Sequence, residues 1–420
     1  MGDFTLPRAS SLGVPTYIGS AIGIRFDPIR AEVCGALVTS DQDPCRFTPE
    51  IAGFVKEKIP DDALRQLRQF EMEGASLDQR VELSVQFTEV ASRLTRQLAT
   101  QSGDRLSDIL AVGVHGCAAW QTMADSRSYV GLCNAAALAE ATGLTVVDEF
   151  PARDLAQGGL GGPVEAHGLW LLLADRLPVP GQRWRALADL GDTFHVSVIP
   201  PLNNLSRRET LVSRDVGPGL RLLTELLGRF AKEDAELDCG RLAVQGRVVP
   251  ELLETWRNAA LSQHAWQPHG MSVVPLIYAL DELTDTVSLP DVLATATHFM
   301  AERIVVFIKH QLSHAHPIGE VVLAGIGRDN GMLLHELRRH LPAVQIRHID
   351  ELGFDDHVFA ASIGALTLLH LWQVPLAPSP GANVPRILGR LTPGNPTSWL
   401  QVLRVMNSHA RCALPLRDAI

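Results

Sequence analysis

Each half of this chain opens in the same way, with two short strand-forming runs folded about a turn, and that repetition limits the architecture more than any other feature. In the first half, residues 16–23 and 31–38 flank a turn at Phe26-Asp27-Pro28 and read as a hairpin. In the second, residues 187–191 and 194–199 do the same. The first hairpin leads into a helical region at 61–102, with Leu64, Leu67, Phe70, Val81, Leu83, Phe87, Val90, Leu94 and Leu98 at three- and four-residue steps. A buried strand at 109–114, ending at His115-Gly116, then a helix at 134–142 and a strand at 144–147 complete that half. After the second hairpin, helices fit 218–232, 247–261 and 291–313. A strand at 321–325 turns at Gly327-Arg328-Asp329-Asn330 into a helix reaching His340, and a small-residue helix follows at about 357–371. The stretch 373–398, rich in Pro, Gly and Asn, is expected over the surface. Hairpin, helices and parallel strands, twice over, predict an α/β chain of two related domains with a cleft between them. The expected division is 1–145, joined by 400–420, and 146–399.

Two glycine turns with acids beside them stand out against this frame: Asp215-Val216-Gly217-Pro218-Gly219, and the run from Arg153-Asp154 through Gly158, Gly159, Gly161 and Gly162 to Pro163. Glycine lets a ligand approach the backbone closely, and Pro218 stiffens the second turn. Converging on a cleft, such turns could hold a polar ligand against their N–H groups. Each also has a plainer reading. Asp215 suits a helix N-cap, Asp27 suits the start of a turn before Pro28, Arg153 and Asp154 suit a surface ion pair, and His115 suits a core histidine. His310, His314 and His316 have no acid or cysteine placed to complete a metal shell and read as the polar end of a helix.

Composition narrows the function. At 420 residues the chain is long enough for two cores. A net charge of −10 argues against a nucleic-acid partner, which needs a basic face. Six cysteines with no CxxC among them read as reduced thiols. No apolar run approaches membrane-span length, and Met1-Gly2-Asp3-Phe4-Thr5-Leu6 lacks the basic start of a signal peptide, so the expected location is the cytoplasm.

The order and spacing of these segments resemble the anhydro-N-acetylmuramic acid kinase family, of the sugar-kinase, Hsp70 and actin superfamily, over about residues 16–395. Residues 149–163 are similar to the family's D-F-R-x-x-D-x-A-x-G-G-Q-G-A-P, Asp215-Val216-Gly217-Pro218-Gly219-Leu220 to D-T-G-P-G-N, and Val112-Gly113-Val114-His115-Gly116 to I-G-x-H-G-Q-T. The resemblance implies two actin-like, ribonuclease-H-like domains. It implies an enzyme of cell-wall recycling that opens the 1,6-anhydro ring of an amino sugar with water and phosphorylates the freed 6-hydroxyl from ATP, with Mg²⁺. Asp215 would be the general base. His115, Arg153, Asp154, Gly158, Gly159, Gly161 and Gly162 would line the sugar side. Gly23, Asp27, Gly191, Gly217, Gly219, Gly325, Gly327 and Asn330 would lie along the nucleotide, with Asp27 near the metal. Homodimers are usual in that family, and the apolar 357–371 helix would permit one. A descendant that holds a sugar or a partner in the cleft without ATP is the alternative reading.

The departures are concentrated in the phosphate loops. The family's first loop, G-T-S-L-D-G-x-D, is here Gly23-Ile24-Arg25-Phe26-Asp27-Pro28-Ile29-Arg30, in which hydroxyls are lost and Pro28 removes an N–H donor. The second, N-I-G-G-I-A-N, is Asp189-Leu190-Gly191-Asp192-Thr193-Phe194-His195. Asp192 places an acid where a phosphate would sit; at ~4 Å two such charges repel by about 4 kcal/mol at an effective dielectric of 20. Cys117 stands where the family has Gln, and Pro151 where it has Arg.

Overall fold

Two β-sheets that share one five-strand order face one another across a pair of helices in the computed structural model. It describes residues 18–28, 30–41, 49–73, 76–103, 106–116, 118–123, 126–162, 164–174, 184–201, 211–230, 239–262, 272–280, 287–313, 318–376 and 384–409. In the first half β1 (Ile18–Asp27), β2 (Glu32–Asp41) and β3 (Glu50–Lys58) form an antiparallel meander. Helices α1 (Asp61–Glu73) and α2 (Leu77–Gln101) follow, then β4 (Ala111–His115), the hairpin β5 (Ala118–Met123) and β6 (Ser126–Gly131), α3 (Ala135–Thr142) and β7 (Thr145–Asp148). Short α4 (Ala152–Leu155) and α5 (Glu165–Leu173) lead to the second half. There β8 (Trp184–Leu190), β9 (Phe194–Ile199) and β10 (Val212–Gly217) make a second meander. The chain continues through α6 (Gly219–Phe230), α7 (Cys239–Gln245), α8 (Pro250–Ser262), α9 (Val274–Tyr278), α10 (Leu289–Ser313), β11 (Ile318–Ala324), α11 (Gly331–His340), β12 (Gln345–His348), α12 (His357–Leu371), β13 (Arg390–Thr392) and α13 (Pro396–His409).

The sheet orders are β13-β7-β4-β1-β2-β3 and β10-β9-β8-β11-β12. Each contains a third–second–first–fourth–fifth core in which the first three strands are antiparallel and the later two run parallel to the first. This is the expected pair of ribonuclease-H-like, actin-like sheets.

Local chemistry explains the elements. Ser76 and Gln79 form a reciprocal capping box at the start of α2, and Leu83, Phe87, Val90 and Leu94 bury one face of it on the first sheet. Along each strand the side chains alternate. Ile22, Ile24 and Phe26 enter the core under α2, so Gly23 and Arg25 face the other way. Ala186, Ala188 and Leu190 enter the core under α10, so Leu187 and Asp189 face inward between the sheets. Helices α5 and α12 occupy that inner layer and pack on each other, and α12 also lies on β1, β2 and β4.

Two expectations change. The 357–371 helix is buried along almost its whole length inside the chain, so its apolar surface is not a free dimer face. Part of the 373–398 stretch is not a surface covering: Arg390–Thr392 pairs antiparallel with β7, and Arg390 forks onto the Asp148 carboxylate at 3.1 and 2.7 Å. Among the described residues no helix is long and apolar enough to cross a membrane. Cys117, His314 and His316 lie outside the described residues.

Candidate active site

Asp215, the proposed base, ends a row that crosses three strands. It sits on β10 opposite His195 of β9, and His195 sits opposite Asp189 of β8. Residues paired directly across a sheet project to the same face, which here is the inner one. A bulge at Val216 bends β10 just beyond Asp215, and Arg303 of α10 braces it, donating from Nε to the Val216 carbonyl at 3.1 Å. The Asp215 carboxylate is 1% exposed and forms an ion pair with His195 Nδ1, while the His195 side chain is 32% exposed. Burial works against a charge on His195, but Asp215, helped by Asp189 and Glu165, outweighs it and raises the imidazole to about 9. So the acid is held at the back and the imidazole forms its outer end.

Arg25 occupies the place of the first phosphate loop. Its guanidinium lies 3.2 Å from Asp27 on its own strand, 3.6 Å from Asp189 on β8 and 3.8 Å from Glu165 at the start of α5, and it stacks over the Phe359 ring at 4.8 Å. It thereby links both sheets and the inner layer. Burial raises the Asp189 carboxyl to about 6; Arg25 and His195 pull it down, while Asp27 and Asp356 push it up. Glu165 is half-buried, which works against its charge, yet His115 at 3.4 Å and Arg25 together hold it well below the usual carboxylate range. Asp27 accepts the Arg30 amide at 3.2 Å at the hairpin tip, and Arg30 and Arg328 both pair with Asp356. The remaining cavity beside Arg25, lined also by Asp27, Arg30, Glu32, Cys34, Lys56 and Asp356, is ≈ 20 Å³, about the room for one water.

The glycines divide into several jobs. Gly23 is in mid-strand against α12, where a Cβ would collide with the Ala360 carbonyl and the Gly364 nitrogen. Gly219 has φ of 60° and lies against the Gly191–Asp192 turn. Just after it, Leu220 and Arg221 donate to the Gly191 and Asp192 carbonyls at 3.0 and 3.3 Å. Two of the first N–H groups of α6, the ordinary phosphate donors of a helix N-terminus, are thus already bonded. Gly217 lies on the bulge. The Gly325 amide bonds Asp356 at 3.0 Å, Gly327 is buried in the following turn, and Asn330 caps α11 through the Leu333 amide at 3.1 Å.

On the expected sugar side, Arg153 and Asp154 diverge. Arg153 is exposed and donates to the Ile387 carbonyl at 3.3 Å. Asp154 is buried and braces the glycine turn, its carboxylate accepting the Gly161 amide at 2.8 Å and its carbonyl the Gly159 amide at 3.0 Å. Gly158 and Gly161 take positive φ in this turn and Gly162 ends it, leading to Glu165. Through Glu165 the turn reaches His115 and Arg25. Glu165, His195, Asp189 and Arg25 were not singled out as site residues from sequence. The available signal was that Arg25, Asp189 and His195 each replace an uncharged residue of the family loops.

A model of the anhydro-N-acetylmuramic acid kinase family matches residues 18–394. Among curated relatives, the anhydro-N-acetylmuramic acid kinase of Chromobacterium violaceum is 28% identical over 392 residues, covering 90% of this chain and 99% of its own. That of Ralstonia nicotianae is 27% identical over 317 residues, 71% and 78%. Distant likenesses among solved structures include component A of the (R)-2-hydroxyglutaryl-CoA dehydratase of Acidaminococcus fermentans (TM-score 0.40, 10% identity, 82% and 96% covered). The ROK hexokinase of Thermus thermophilus is another (TM-score 0.31, 16%, 83% and 99%).

Proposed function

Because this chain belongs to the anhydro-N-acetylmuramic acid kinase family, we propose that its cleft takes a 1,6-anhydro amino sugar and that the Asp215–His195 pair activates the water that opens the ring. The observation that carries this reading is the retained Asp215, buried and paired on the inner face with the His195 imidazole as its partly exposed partner. A buried acid holding an imidazole in one orientation is a common way to move a proton at a site that excludes water. Water would give up a proton to the Asp215 carboxylate as its oxygen bonds the anomeric carbon, and the bridging oxygen would take a proton from the charged His195 imidazole as its bond to that carbon breaks. Phosphorylation of the freed hydroxyl completes the family's reaction.

ATP and Mg²⁺ fit these residues poorly. A phosphate would meet the Asp192 carboxylate, Pro28 without an N–H, and the α6 amides already bonded to the hairpin. A metal between Asp27 and Asp189 would have to displace Arg25, which already balances both. These contacts support a second reading, in which this family member binds its sugar without a nucleotide and transfers no phosphoryl group.

One pair of measurements separates the readings. The protein is heated with the anhydro sugar, with Mg·ATP, and with both, and products are followed by mass. Ligand at a hundred times its Kd stabilises by about 2.7 kcal/mol, or about 3 °C for a chain of this length. A shift with sugar and none with Mg·ATP supports the nucleotide-free reading; phosphorylated product removes it. Absence of any shift with the sugar sinks both. Asp215→Asn should keep the sugar shift and lose the opened product.

A further inference from the structure

Away from the cleft, His298 on α10 faces Glu336 and His340 on α11. His298 Nδ1 lies 2.9 Å from Glu336 Oε2, and His340 Nε2 lies 3.4 Å from the same oxygen. The three donor atoms all lie within 4.8 Å of one another. We propose that these residues form a binding site for a divalent transition metal, zinc by the nature of the donors, that joins α10 to α11.

Three lines of chemistry support it. Two imidazole nitrogens and one carboxylate oxygen are a zinc-type donor set, and three protein ligands leave a fourth corner for water. Zinc bonds of about 2.0–2.1 Å put the corners of a tetrahedron ~3.3–3.4 Å apart. The 2.9 and 3.4 Å separations already bracket that edge. Glu336 and His340 are four residues apart on one helix, so they project from the same face, and His298 approaches from the neighbouring helix. Behind His298 stands a further acid. His298 Nε2 is 4.0 Å from Glu302, and Glu302 is gripped by Arg257 of α8 at 2.6 to 3.1 Å. At that distance Glu302 is an ion-pair neighbour of the ring and not a hydrogen-bond partner.

The Glu336 side chain is only 7% exposed, flanked along its helix by the core residues Leu333 and Leu337. A buried carboxylate needs a compensating charge. Arg339 at 3.6 Å gives part of it from the rim. The two rings meet edge to face, 5.8 Å apart, with their nitrogens turned toward the carboxylate. A bound ion would also steady the cleft wall, since α10 carries Arg303, which braces Val216 beside Asp215, and α11 starts directly after the Gly325–Asn330 turn.

The test uses tag-free full-length protein, stripped with a chelator and dialysed. Zinc titrated in is expected to bind one ion per chain by calorimetry and elemental analysis, and to raise the melting temperature by about 3 °C at a hundred times its Kd. His340→Ala and Glu336→Gln should each lose the bound ion and the shift while melting as folded proteins in chelator. Cobalt(II), as an optical probe in the unaltered protein, should give the spectrum of a tetrahedral nitrogen–oxygen site, so the inference does not depend on the variants folding. Less than one ion per chain, undiminished binding in both variants, or a cobalt spectrum with thiolate charge transfer, which would place the ion on cysteines, overturns it.

Discussion

Replacing Gly23 by alanine separates a packing glycine from a phosphate-binding one. The added methyl would project from β1 into α12, against the Ala360 carbonyl and the Gly364 nitrogen. Both obstacles are backbone atoms of one buried helix, so no side chain can rotate aside. The helix itself would have to move by ~1 Å, loosening its contacts with α5 on the other side. Overpacking in cores costs about 1–3 kcal/mol, and a backbone obstacle belongs at the upper end. At about 2.1 cal/mol/K per residue, 420 residues give an unfolding entropy near ~0.9 kcal/mol/K, so 3 kcal/mol lowers the melting temperature by about 3 °C. Gly228→Ala is the matched control: Gly228 is exposed in α6 with open space around its added methyl, and alanine there should stabilise by about 0.5–1 kcal/mol. Thermal and urea unfolding of the two variants should therefore shift in opposite directions. If Gly23→Ala unfolds within ~0.5 kcal/mol of the parent, the range typical of a neutral surface change, the packing argument fails.

Further outcomes follow from the charges. Arg25→Ala leaves the Asp189 and Glu165 carboxylates without their shared cation and should destabilise by about 3 kcal/mol at pH 7.5. The loss should shrink at pH 5, where Asp189 can take a proton; an equal loss at both pH values would show that the ion pairs are not its cause. His195 is raised from its ordinary 6.5 to about 9, so its stabilising contribution is complete below pH 6.5 and disappears as pH climbs through 9. Melting temperature should fall across that window, and His195→Gln should flatten the fall; an unchanged slope in the variant would contradict the pairing. Asp154→Ala removes the acceptor of the Gly161 amide and should cost about 1–3 kcal/mol, with faster amide exchange confined to residues 158–162.

Much of the fold was legible in the chain. The two hairpins, the helix expected at 134–142 and found at Ala135–Thr142, and the long helix expected at 291–313 and found at Leu289–Ser313 were read close to where they stand. Strands β3, β5, β6, β10, β12 and β13 were not. β3 runs from Glu50 through five uncharged residues to Lys56-Glu57-Lys58, and β13 is three residues set among prolines and glycines, so neither carries a periodic signal of its own. Their strand character comes from a partner far along the chain, as when Arg390 pairs with Asp148.

The site divides in the same way. Alternation along a strand is local, so sequence by itself settled that Arg25 shares a face with Gly23, and Asp189 with Leu187. It also marked Asp215 as an acid held in a stiff turn. Only the tertiary structure decided that these faces look at one another. Strand register set Asp189, His195 and Asp215 in one row, and α12 brought the two sheets close enough for Arg25 to span them. Charges from separated segments acquire their meaning only at a few ångströms, because Coulombic interaction in a buried site depends on distance and solvent exclusion, and neither is written in the order of residues.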